Sequence, residues 1–156
     1  MSMKPVKRLA ALAAVVGTAL TGTLALGGTA QASPANAARS TVINLHNGTG
    51  CTLTLQSEDL AHGVWDAPPP QYVYNTRDVT VSAESNGFMT GDEGGFTYVA
   101  GDCEEDWRNG HTVLLQFDNP YAGSNGYYSN GSGAFRFTSS GGEGNNAVIN
   151  WGVWKS

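Results

Sequence analysis

From Thr41 to the C-terminus, apolar and polar residues alternate in short runs, and this period of two limits the fold more than any other feature. "TVINLH" sets Ile43 and Leu45 in one phase against Asn44 and His46. "CTLTLQ" sets Cys51, Leu53 and Leu55 against Thr52, Thr54 and Gln56. "DVTVSA" aligns Val79, Val81 and Ala83, "GFTYVA" aligns Phe96, Tyr98 and Ala100, and "HTVLLQF" aligns Val113, Leu115 and Phe117. "GAFRFT" aligns Phe135 with Phe137, and "AVINWGVWK" aligns Ile149, Trp151 and Val153, leaving Trp154 opposite. Each run has one apolar face that needs cover, and none has a helical period. Seven such runs predict an all-β chain, a single-domain antiparallel β-sandwich; a small barrel satisfies the same pattern. "NGTG" between the first two runs predicts a hairpin turn. Ser57 to Gln71, with Pro68-Pro69-Pro70, predicts a long surface loop, because proline removes ladder donors.

The region before Thr41 has a different character. Lys4, Lys7 and Arg8 precede an apolar stretch from Leu9 to Leu26, and Ala30-Gln31-Ala32 offers small residues at a cleavage site. This layout predicts a secretory signal peptide over 1–32, with cleavage after residue 37 as the alternative. A membrane anchor is the rival reading, but Thr and Gly dilute the stretch and it leads directly to the A-x-A site. Residues 33–40 then form a flexible N-terminus and 41–156 the domain. Removing the leader takes away three of eight basic residues and none of thirteen acidic ones, moving net charge from −5 to −8. Such a surface repels phosphate backbones and anionic bilayers, which argues against nucleic acid as a partner and leaves neutral or zwitterionic partners open. Cys51 and Cys103 are the two cysteines. In a secreted chain they predict a disulfide, contributing roughly 4 kcal/mol by loop closure.

Little in the sequence points to catalysis. His46, His62 and His111 are scattered, and no serine sits in a nucleophile elbow, so the chain reads as a binding protein, not an enzyme, with no cofactor. Asp92-Glu93, Asp102 and Glu104-Glu105-Asp106 offer oxygen ligands without the spacing of a calcium loop, and no metal site is expected. The aromatics are more informative. Trp65, Tyr72, Tyr74, Tyr121, Tyr127 and Tyr128 fall in expected loops or at strand edges, where an apolar body with a polar tip suits a membrane or sugar interface. Glu93 beside such rings makes a sensible seat for an ammonium head group. Phe88-Met89, in the glycine-punctuated "AESNGFMTGDEGG", are expected to be buried.

That stretch, the later "LLQFDNPYAGSNGY", the opening "INLHNGTGCTLTL" and "GVW" at Gly63 to Trp65 together resemble the aegerolysin family over the whole domain. Within it, the chain is most similar to the small component of bacterial binary insecticidal crystal toxins. The resemblance implies a compact β-sandwich that binds sphingolipid membranes, either sphingomyelin with cholesterol or ceramide phosphoethanolamine. It also implies a larger pore-forming partner, with Glu93 in lipid recognition and Trp65 against the bilayer. The leader, the cysteine pair and "GDCEEDWRNG" depart from the family pattern and leave host range and partner open. A non-toxic secreted module for a glycan or cell-surface protein is the alternative.

Overall fold

A computed structural model describes residues 38–156; the expected leader lies outside the described residues. Ten strands follow in order: β1 (Ser40–Gly48), β2 (Thr52–His62), β3 (Val64–Ala67), β4 (Tyr72–Val73), β5 (Arg77–Glu84), β6 (Asp92–Gly101), β7 (Thr112–Asn119), β8 (Gly126–Asn130), β9 (Phe135–Gly141) and β10 (Asn146–Lys155). They form two five-stranded sheets, ordered β3-β5-β1-β10-β9 and β4-β2-β6-β7-β8. The alternating residues define the space between them. Ile43, Leu45, Val81, Ile149, Trp151 and Val153 of the first sheet meet Leu53, Phe96, Tyr98, Val113, Leu115 and Phe117 of the second, all nearly or fully buried. The β-sandwich is therefore observed, built by the residues whose phase announced it.

The connections differ from expectation in several places. β1 pairs with β5 and, in parallel, with β10, whereas β2 belongs to the other sheet, so "NGTG" is a crossover between sheets and not a hairpin turn. Buried Asn47 explains the difference. Its amide donates to the carbonyls of Cys51 (2.9 Å) and Val73 (2.8 Å), while its Oδ1 accepts from the Thr49 backbone (3.1 Å) and hydroxyl (2.6 Å). These bonds satisfy polar groups that a passage between layers otherwise leaves stranded. The parallel β1–β10 pair also means that the first sheet is not wholly antiparallel.

Most of the loop expected from Ser57 to Gln71 is strand. β2 continues to His62, and β3 follows after Gly63, whose φ of +99° fits glycine. From Gln56 to Asp59 the strand is solvent-exposed throughout, so it shows no apolar phase. Two irregularities, at Leu55/Ser57 and Leu60/His62, break the alternation further. Gly63 and the segment from Pro68 to Gln71 stay outside the strands, and there the Pro70 carbonyl accepts a hydrogen bond from the buried Tyr98 hydroxyl at 3.0 Å.

The expected flexible segment 33–40 is ordered at its end. Ser40 pairs with Asn146 and Glu84, and the Arg39 carbonyl accepts from the Ser85 N–H at 2.9 Å. Cys51 and Cys103 are joined in a disulfide that ties the start of β2 to the segment after β6.

Candidate functional site

The segment Asp92-Glu93-Gly94-Gly95 opens β6, and strand geometry splits it between two faces. Asp92 points inward and is fully buried, whereas the Glu93 side chain is half-exposed on the outside of the second sheet. The outward glycine, Gly95, leaves no room for anything larger, since a Cβ there lies 2.9 Å from both the Leu115 carbonyl and Gln116 Cγ. The inward one, Gly94, is just as tight, at 2.5 Å from the Asp59 carbonyl. Two bare positions in succession let β2 and β7 close on β6 and hollow the outer face into a shallow groove of about 520 Å³.

Charge in that groove is one-sided. Glu58, Asp59, Glu93 and Asp118 line it, with Gln116 on β7 and the exposed ring of Tyr128 on β8. Glu93 is directly opposite Asp118 on one side and His62 on the other, with His62 Nε2 3.9 Å from a carboxylate oxygen. Glu93 and Asp118 also border a second hollow of about 420 Å³, shared with His62, Met89, Thr90 and Tyr121. The two carboxylates thus stand on the ridge between neighbouring depressions. Concentrated negative charge beside aromatic rings attracts a cationic group such as an ammonium.

Above the second hollow, the loop between β5 and β6 closes on itself. The Gly87 N–H donates to the Thr90 hydroxyl, which donates back to the Gly87 carbonyl, both at 3.0 Å. Phe88 and Met89 are held at the apex, Met89 with a left-handed φ of +57°, and they are 93% and 54% exposed. The expectation that this pair fills the core is overturned. The sandwich is already packed from strand positions, and a four-residue closed turn points its middle residues outward.

In the sequence Asp92 stands out only as an oxygen ligand, yet its burial is the more informative property. Neither of its oxygens has a hydrogen-bond partner among the described residues, and the same is true of Oδ1 of Asn119, its cross-strand neighbour. Burial pushes its carboxyl up to about 6, and Asp118 adds to the shift, while the Thr41 hydroxyl and Arg39 oppose it. Among the described residues, no three or more His, Cys, Asp or Glu side chains are grouped to hold a metal ion.

The seven residues expected at the site divide. Glu93, Tyr121 and Tyr128 surround the two hollows. Tyr127 also borders the groove but follows the inward phase of β8: its ring packs edge-on against Trp151 (centroids 5.9 Å) and its hydroxyl donates to the Gly142 carbonyl at 2.7 Å. Trp65 turns toward the sandwich against Phe117 and Phe96, at 5.9 and 6.4 Å, and is only partly exposed. Tyr72 and Tyr74 are exposed and stacked at 6.3 Å, but Tyr72 pairs with Thr54 whereas Glu93 pairs with His62. Eight residues of β2 separate those positions, roughly 25 Å along the strand. Asp118, Glu58 and Asp59 join the groove beyond the residues expected there. For Asp118 the signal lay in "FDNP", whose outward position shows only once β7 is laid against β6.

No known family model matches the sequence, and no curated protein does. Among solved structures, the chain is similar to the crystal structure of the lipid binding protein Nakanori, with a TM-score of 0.66 and 14% identity over 78% of this chain and 73% of that one. It is also similar to RahU protein in complex with a TRIS molecule, with a TM-score of 0.61 and 12% identity over 77% of this chain and 97% of that one. At such identities the likeness extends to the fold alone: this chain is a β-sandwich of the architecture those two proteins share.

Proposed function

We propose that the chain is a secreted membrane-lipid-binding protein of the toxin type, seating the ammonium of a zwitterionic sphingolipid headgroup between Glu93 and Asp118. The observation that carries this reading is the pairing of those two exposed carboxylates across β6 and β7, directly below the protruding Phe88-Met89. The carboxylates supply charge, Tyr121 and Tyr128 supply ring faces, and the apolar tip enters the acyl boundary when the headgroup is engaged. An acidic protein approaches zwitterionic lipid without the repulsion that anionic lipid imposes. The motif likeness to aegerolysins and the fold shared with a lipid binding protein support the assignment. Similarity to the small component of binary toxins supports a division of labour in which a larger second protein makes the pore. The groove binds without performing chemistry.

Co-sedimentation tests the proposal. The secreted protein is expected to pellet with vesicles containing sphingomyelin and cholesterol or ceramide phosphoethanolamine, and to stay in solution with phosphatidylserine vesicles. Failure to pellet with any sphingolipid vesicle overturns the proposal. Retention on a glycan array in that case favours the non-toxic binding module.

A further inference from the structure

The outer face of the first sheet, on the far side of the sandwich from the acidic groove, is built differently. Strand pairing brings two cross-sheet rows side by side on it. One row runs Asp78, His46, Gly152, Thr138, and the next runs Thr80, Asn44, Asn150, Ser140. Four strands at about 4.8 Å spacing make a platform roughly 14 Å wide.

Trp154 gives this platform a floor. A Cβ on Gly48 meets its ring at 2.4 Å and one on Gly152 meets it at 2.6 Å, so the indole lies across the bare backbone of β1 and β10. Its Nε1 donates to the Thr138 hydroxyl at 3.0 Å, and the His46 ring flanks it with centroids 4.8 Å apart. Two glycines and two polar neighbours thus fix an indole flat against a sheet, with the ring partly exposed in a depression of about 330 Å³.

The polar groups around it are pre-ordered. Asn44 donates to Asn150 Oδ1 at 3.0 Å and accepts from the Thr80 hydroxyl at 3.1 Å; His46 Nδ1 lies 2.8 Å from Asp78. Asn150 Nδ2, His46 Nε2 and the second Asp78 oxygen make no hydrogen bond to the described residues. They remain available as outward-facing donors and acceptors. Asp78, already facing His46, is the one acidic residue in the two rows, so the face suits a neutral hydroxyl-rich ligand and not an ion.

We infer that this face is a second binding site, for a neutral carbohydrate whose ring stacks on Trp154 while its hydroxyls bond to Asn150, Asp78 and His46. An apolar ring face beside convergent donors and acceptors is what a sugar, with apolar C–H faces and an equatorial hydroxyl rim, requires. The site does not depend on the lipid reading, since no residue is shared with the acidic groove.

The test is an array of neutral and acidic glycans probed with the secreted protein, followed by calorimetry on the retained species. At least one neutral glycan is expected to bind, with affinity falling tenfold or more in Trp154→Ala and in Asn150→Ala. The second variant removes a solvent-facing amide and keeps the test decisive if the first does not fold. Glu93→Gln is expected to leave glycan binding unchanged, and Asn150→Ala to leave vesicle binding unchanged. Retention of no neutral glycan, or binding unaffected by Asn150→Ala, overturns the inference.

Discussion

Replacing Asp92 with Asn should make this protein more stable at neutral pH. The wild-type carboxyl is fully buried, with no well-formed hydrogen bond among the described residues and only the nearby Thr41 hydroxyl and Arg39 favouring its charged form, and burial raises it from 3.8 to about 6. Between those values the folded state holds a proton that the unfolded state has released, so stability falls as pH rises through this window. Above pH 6 the whole deficit is present: a shift of about two units corresponds to about 3 kcal/mol. Asn carries no charge and is nearly isosteric, and its cross-strand neighbour Asn119 offers an acceptor without a partner. Urea unfolding of both proteins from pH 3.5 to 8 measures the difference. The curves should coincide near pH 3.5 and separate by about 3 kcal/mol above pH 6, equivalent to roughly 10 °C in Tm. A constant gap across the range, or a less stable Asn variant at pH 7.5, would falsify the reasoning.

Glu93→Gln and Asp118→Asn should each weaken binding to sphingolipid vesicles tenfold or more without altering circular dichroism; unchanged co-sedimentation removes that carboxylate from the site. Phe88→Ser should leave the denaturation midpoint within about 0.5 kcal/mol, because the ring is 93% exposed, yet reduce vesicle partitioning by roughly 30-fold from about 2 kcal/mol of lost burial. Equal partitioning of the two proteins shows that the tip stays out of the bilayer. Reduction of Cys51–Cys103 should lower stability by about 2–4 kcal/mol, read as a shift in urea midpoint, and no shift means the link is energetically idle.

What could be read from the residues was the part governed by a single buried face. Every apolar residue that set a phase, from Ile43 to Val153, is in the core or packed against it. Where a strand is polar on both faces, as β2 is around Ser57 and Glu58, alternation disappears and the segment is mistaken for a loop. β8 carries no strand signal in the sequence because "GYYSN" places one tyrosine inward and one outward, so neither apolar count nor spacing marks a phase. Connectivity was the least legible: Asn47 beside Gly48 has the chemistry of a tight turn, and only its four buried hydrogen bonds show that it bridges layers. For the site, Glu93 stood out as an acidic residue among glycines. Its companion Asp118 lies 25 positions away in sequence and joins it solely through the β6–β7 register. The exposure of an aromatic is hard to read where a ring from a short edge strand, such as the partly buried Trp65 of β3, folds back over the core.

The parallel union of β1 with β10 has a consequence for how the protein is made. β10 sits between β1 and β9, so until residues 146–155 have emerged one edge of the central strand β1 is open and β9 has no ladder partner in the first sheet. A nascent chain lacking them exposes the ladder edge of β1 and the flank of the core, and it cannot complete cooperative folding. Completion of the fold is therefore expected to wait on residues 146–155, and a chain truncated before Asn146 should not fold cooperatively.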